Sequence, residues 1–268
     1  MSVLDQVLAD LDAEGDGLDA LVAPLTEDQW RTPTPAEGWD VATTIAHLAW
    51  TDDAAVVAAA DPTAWDQLVL RAMESPEGFV DAEAFEVART APVELLARWR
   101  TGRRRLTDAL RAHPPGEKLP WFGPPMSPAS MATARFMETW AHGIDVADAL
   151  GVTVEPTDRV RHVAHLGIRA RGYAYTVHHL EPPTTDVRVS LRAPSGDLWE
   201  WGPVDAEQQV TGSAHDFGLL VTHRRHRDDL DVVASGADAQ QWLDVAQAFA
   251  GPPGDGRRPA EAREGGTP

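Results

Sequence analysis

The 268-residue chain contains no cysteine. Disulfides, thiolate metal sites and a cysteine nucleophile are thereby excluded. A protein of this size without cysteine fits a reducing compartment. Lysine is nearly missing too, Lys118 being the only one. Positive charge is therefore almost all arginine, whose planar fork suits bidentate carboxylate recognition. Even so, basic residues are outnumbered 23 to 42 by acidic ones, for a formal net charge of -19. Such a surface favours solubility and repels nucleic acid and anionic lipid, so neither is expected as a partner. No apolar run approaches the roughly 20 residues of a membrane helix. The opening stretch MSVLDQVLADLDAEGDGLDAL puts acids where a secretion signal carries basic residues and an unbroken apolar run. The expectation is a soluble cytoplasmic protein, monomer or homodimer, acting on a small molecule.

What is present is mostly helical periodicity. Leu4, Leu8, Leu11, Leu18 and Leu21 predict a helix over 3–22 that Pro24 ends. A Pro- and Gly-bearing loop follows, and Asp40 is a good N-cap for a helix over 41–60. Further helices are expected at 63–74, 81–89, from Pro92 to Ala112, from Ser127 or Pro128 to Leu150, and over 159–179. Beyond Pro182-Pro183 the period becomes two. VRVSLRA, LWEWG, QQVTGSA and DLDVVASG read as strands, the first two joined by a Ser195-Gly196 turn. HDFGLLVTHRR and ADAQQWLDVAQAFAG read as helices. The predicted layout is a helical domain over 1–180, a small α+β domain over 181–251 and a disordered tail over 252–268. Clefts between such domains are common ligand sites.

One constellation carries chemistry. In METWAHGIDVADALG, Glu138 and His142 are four apart and share a helix face, which Asp145 continues. A helix offers two ligands to one metal in this way. The third candidate is His47, in a helix among apolar Ile45, Ala46 and Leu48. Two imidazoles and one carboxylate leave positions open, as catalytic zinc sites do, although the set also accepts iron, nickel or manganese. Spacing alone leaves a plainer alternative: a surface pair on one helix and a hydrogen-bonded core histidine on another. Asp145 could orient His142, act as a general acid or base, or be an exposed helix residue. Arg135 could pair with Glu138 or with a substrate carboxylate. Trp121, Phe122 and Met126 could wall a pocket or pack the end of the bundle. Arg103-Arg104-Arg105 reads as a solvated face, and His162, His165, His178, His179, His223 and His226 as ordinary.

The stretches TPAEGWDVATTIAHLAWTD and ATARFMETWAHGIDVADALG resemble the DinB-like metalloenzyme superfamily and, within it, the mycothiol-dependent maleylpyruvate isomerase family. They match that family's G-W-x-V…H-L and E-x3-H-x2-D elements. The stretch from VTGSAHDFGLLVTHRR to DVVASGADAQQWLDVA resembles its C-terminal domain. The resemblance implies a four-helix DinB-like bundle followed by a sterol-carrier-like α+β domain. It implies His47, Glu138 and His142 as metal ligands, zinc as the usual ion, and a site opening toward the second domain. It also carries an active-site arginine onto Arg224, with Arg225 as neighbour, although His223 stands where a small residue is common.

The activity so implied is isomerisation or S-transfer on a small enone-like or carboxylate-bearing electrophile, with mycothiol as co-substrate. A thiolate adds to the double bond; rotation and expulsion of the thiolate isomerise it, whereas a retained adduct is a transfer product. The cysteine-free chain must draw such a thiol from outside. Two alternatives keep the same residues: a hydrolase using metal-bound water, and a carrier protein with a structural metal.

Overall fold

The computed structural model describes residues 1–76, 78–254 and 256–260. It divides into two compact units, Met1–Val154 and a second from Glu155 onward.

The first unit is helical: α1 (Val3–Val22), α2 (Val41–Ala60), α3 (Pro62–Glu74), α4 (Phe79–Val87), α5 (Pro92–Arg111) and α6 (Pro128–Leu150). Local chemistry sets the ends. Ser2 and Asp5 form a capping box at the start of α1. Ser127 caps α6, Pro128 opens it, and Gly151, at φ 65°, closes it in the left-handed region. The main packing pairs are α2 on α5 and α1 on α6, with α2 also touching α3, α4 and α6. Contact from so many sides explains why α2 is buried almost all round, with alanine at 42, 46, 49, 54, 55 and 58. Trp99 and Leu95 of α5 are fully buried in the cluster that α2 builds.

Arg103 corrects the expectation of a solvated arginine face. Its side chain is 11% exposed and bonds Asp16, its guanidinium also donates to the Asp12 carbonyl, and α5 is thereby tied to α1. Arg104 and Arg105 are exposed as expected.

The second unit holds α7 (Arg161–Arg169), α8 (Arg171–Val177), β1 (Val187–Arg192), β2 (Leu198–Trp201), β3 (Gln208–Ser213), α9 (Ala214–Val221), β4 (Val232–Ser235) and α10 (Ala237–Val245). The strands form one mixed sheet in the order β2-β1-β3-β4. β1 pairs antiparallel with β2 and parallel with β3, and β3 pairs antiparallel with β4. A helical first domain followed by a small α+β region is thus the observed fold class.

The division between units comes earlier than the change of texture near 182. α7 packs against α9 at Gly167, where an added Cβ would lie 2.9 Å from the Val221 methyls. That close approach places α7 with the sheet region. The helix expected over 159–179 is interrupted at Ala170 (φ -82°, ψ 1°). α10 stops at Val245 because Ala246 turns extended and the Ala248 amide donates to the Val221 carbonyl at 2.7 Å. Much of the expected tail, residues 255 and 261–268, lies outside the described residues. Among those described, no helix is long and apolar enough to cross a membrane.

The start of α2 matters most, because this helix carries His47. Asp40 Oδ1 accepts from the Thr43 amide at 2.7 Å and from the Thr43 hydroxyl at 2.8 Å. Asp40→Ala is expected to lower the unfolding free energy by about 1 kcal/mol. Urea titration checks this, and unchanged stability would show that the cap does not anchor the helix.

Candidate metal centre

Two helices build the site. His47 lies seven residues into α2, and Glu138 and His142 lie one turn apart on α6. Where the helices meet, one carboxylate oxygen faces two imidazoles. Glu138 Oε2 is 3.5 Å from His47 Nε2 and 3.3 Å from His142 Nε2. Two donors each about 2.0–2.1 Å from a shared tetrahedral ion lie about 3.3–3.4 Å apart, so the observed spacing suits one ion between them. The ligand atoms of all three residues lie within 4.8 Å of one another.

The electrostatics suit a cation as well. Burial pushes His47 down to about 4, against the opposing pull of Glu138. His47 is therefore neutral near pH 7 and its lone pair is available, as ligation requires. Burial would raise the Glu138 carboxyl, but hydrogen bonds and charge from His142 and His47 outweigh it and hold the group well below the usual range. Glu138 is thus an anion. His47 Nδ1 is buried without a hydrogen-bond partner, so Nε2 is the atom turned to the cluster. His142 is set differently: its Nδ1 faces Asp145 Oδ2 at 3.2 Å. A carboxylate at that place would accept from Nδ1 and leave Nε2 its lone pair. Asp145 is 2% exposed, which removes the reading of an exposed helix aspartate. The three donors could hold a divalent ion, and the Glu138 side chain remains 25% exposed.

The family model for the mycothiol maleylpyruvate isomerase N-terminal domain matches residues 11–147. The chain belongs to that family. The match covers α2, all but the last three residues of α6, and all four residues just described. A second model, wyosine base formation, matches residues 183–235, which contain the four strands. Two uncharacterized proteins of Mycobacterium tuberculosis, from strains CDC 1551 / Oshkosh and ATCC 25618 / H37Rv, are each 59% identical over 250 residues. These alignments cover 93% of this chain and 97% of the relative. Crystal structures of the mycothiol-dependent maleylpyruvate isomerase and of a mutant of it share the fold. Each superposes with a TM-score of 0.57 at 15% identity, over 87% of this chain and 92% of that one.

The remaining sequence candidates fall in several places. Arg135 does not pair with Glu138; its Nε donates to Asp52 Oδ1 on α2 at 2.9 Å, with both side chains 3% exposed. Burial pushes the Asp52 carboxyl up, against the pull of Arg135. Trp121 and Phe122 pack into an aromatic cluster with Trp50, Trp65 and Phe79, while Met126 bridges backbone to backbone with Leu119. Arg224 and Arg225 follow α9 in the second unit. Arg224 Nη1 donates to the Thr222 carbonyl at 2.6 Å and Arg225 Nη1 to the Arg224 carbonyl at 2.7 Å. Of the other histidines, His223 has both ring nitrogens against backbone carbonyls, of Ala246 and Pro253.

One residue of the site was not singled out by the sequence. Trp39 stacks on His142 (5.7 Å, 16°) and tilts against His47 (5.1 Å, 52°). The loop before α2 holds it. The Trp39 carbonyl accepts from the Thr34 amide, and its own amide donates to Ala36. The residue stands in the quoted G-W element, but it precedes the helix cap, where helical periodicity assigns no face.

The arrangement gives Asp145 a measurable role. Asp145→Asn is expected to weaken divalent-metal affinity about 10- to 100-fold while leaving all three donors in place. Competition with a chromogenic chelator reads the change. Wild-type affinity in the variant would contradict orientation through His142.

Proposed function

We propose that the protein is a metal- and thiol-dependent isomerase or S-transferase, with zinc as its ion and mycothiol as its thiol, acting on a small enone-like or carboxylate-bearing electrophile. The observation that carries this reading is the donor count. Structural zinc normally has four protein ligands, whereas catalytic zinc has three and an open position. Among the described residues the cluster has three members. The names of the family and of the solved structures supply the chemistry that suits such a site, and the chain's lack of cysteine makes an external thiol necessary.

A divalent ion bound there supplies a Lewis acid that favours the thiolate over the thiol at pH 7. The chain's own residues do the rest. Asp145 holds the His142 ring in one tautomer. Neutral His47 and anionic Glu138 complete the donor set, so that the three ligands together bring only one negative charge. Trp39 stacks on the His142 ring and packs against that of His47. Arg224 and Arg225 are proposed to recognise the carboxylate of substrate or thiol, for which guanidinium geometry is suited.

The test is an assay of zinc-loaded protein against an enone electrophile with and without mycothiol. Turnover is expected only with thiol present. Turnover without thiol would overturn the proposal and point to hydrolysis by metal-activated water.

A further inference from the structure

The Asp52–Arg135 pair is costly for a fold to keep. Both residues are 2% exposed, and only the Nε–Oδ1 bond of 2.9 Å and the accompanying charge join them. Arg135 Nη2 is buried with no hydrogen-bond partner. Apolar residues of similar volume often replace a buried ion pair with no loss of stability, or with a gain. Stability is therefore a weak reason for the pair's presence, and its location supplies a better one.

Asp52 is five residues beyond His47 on α2, and Arg135 is three residues before Glu138 on α6. The pair thus joins the two ligand-bearing helices about one turn from the point where their ligands meet. Apolar packing between helices tolerates sliding, whereas a charged hydrogen bond has a direction and a length. A slip of one residue along a helix is about 1.5 Å, far beyond the roughly 0.2 Å tolerance of a metal–ligand distance. Burial keeps water from competing for either partner.

We propose that Asp52 and Arg135 are a positioning pair for the metal centre, a buried tether that fixes α2 against α6 and so sets the approach of His47 to Glu138 and His142. The inference rests on the reading of those three residues as metal ligands.

Two variants test it. Asp52→Leu with Arg135→Met replaces the tether by apolar bulk, and Asp52→Glu keeps the charges but lengthens the tether by one methylene. Zinc affinity is measured by chelator competition, thermal unfolding is followed on metal-free protein, and the visible spectrum of the cobalt-loaded form reports ligand geometry. The double variant is expected to keep a metal-free melting temperature near or above that of wild type while zinc affinity falls about 10-fold or more, as for other residues that orient ligands. Asp52→Glu is expected to shift the cobalt bands and weaken zinc binding. If the double variant fails to fold, Asp52→Glu alone decides, by the same two readouts. Wild-type zinc affinity and an unshifted cobalt spectrum in the folded variants would overturn the proposal. Failure of wild type itself to bind zinc would instead overturn the metal reading on which it rests.

Discussion

A carboxylate held between two imidazoles is the constraint around which the first unit is arranged. Glu138 can sit at 3.3 and 3.5 Å from His142 and His47 only if α2 and α6 approach closely. Helix α2 accordingly has alanine at many of its contact positions and is buried on nearly every side. Its start is fixed by the Asp40 cap, and the loop leading into that cap places Trp39 over both imidazoles. On α6, Asp145 Oδ2 lies against His142 Nδ1, and Arg135 reaches Asp52 of α2. Burial disfavours the charged form of both donors. It keeps His47 neutral, while Glu138 stays ionised because the histidines outweigh the cost of its desolvation.

What the sequence showed of this site followed from the range of each interaction. Glu138, His142 and Asp145 lie within two turns of one helix, so helical geometry alone places them on one face. His47 was legible as a polar residue in an apolar run, but its pairing with residues some ninety positions later needed the family motifs. The Asp52–Arg135 pair spans 83 positions and leaves no periodic trace. The sequence offers Arg135 either its nearest acid, Glu138, or a substrate carboxylate, whereas its partner lies on the other helix. Of the three roles the sequence leaves open to Asp145, its burial removes the exposed helix residue. In the second unit the strands were visible as period-two runs. The break at Ala170 and the early end of α10 were not, because the latter depends on a backbone bond from Ala248 to Val221.

The two units carry different kinds of information about function. The three candidate donors, Asp145 and the Asp52–Arg135 pair all lie within the segment that defines the family, residues 11–147. At 15% identity, the solved isomerase shares the fold; what it does is a guide to chemistry only through the residues found here. Arg224 and Arg225, in the second unit, are the residues through which substrate choice is proposed to act. The shared fold brings the three candidate donors together, and the choice of substrate is proposed to rest on side chains outside that segment.

His47, Glu138 and His142 are proposed to hold one ion. Elemental analysis of extensively dialysed protein, alongside His47→Ala and Glu138→Ala, tests it directly. About one divalent ion per chain is expected in the wild type, with loss of most of it in either variant. Equal metal content in wild type and variants, or none in any of them after loading, would contradict the account.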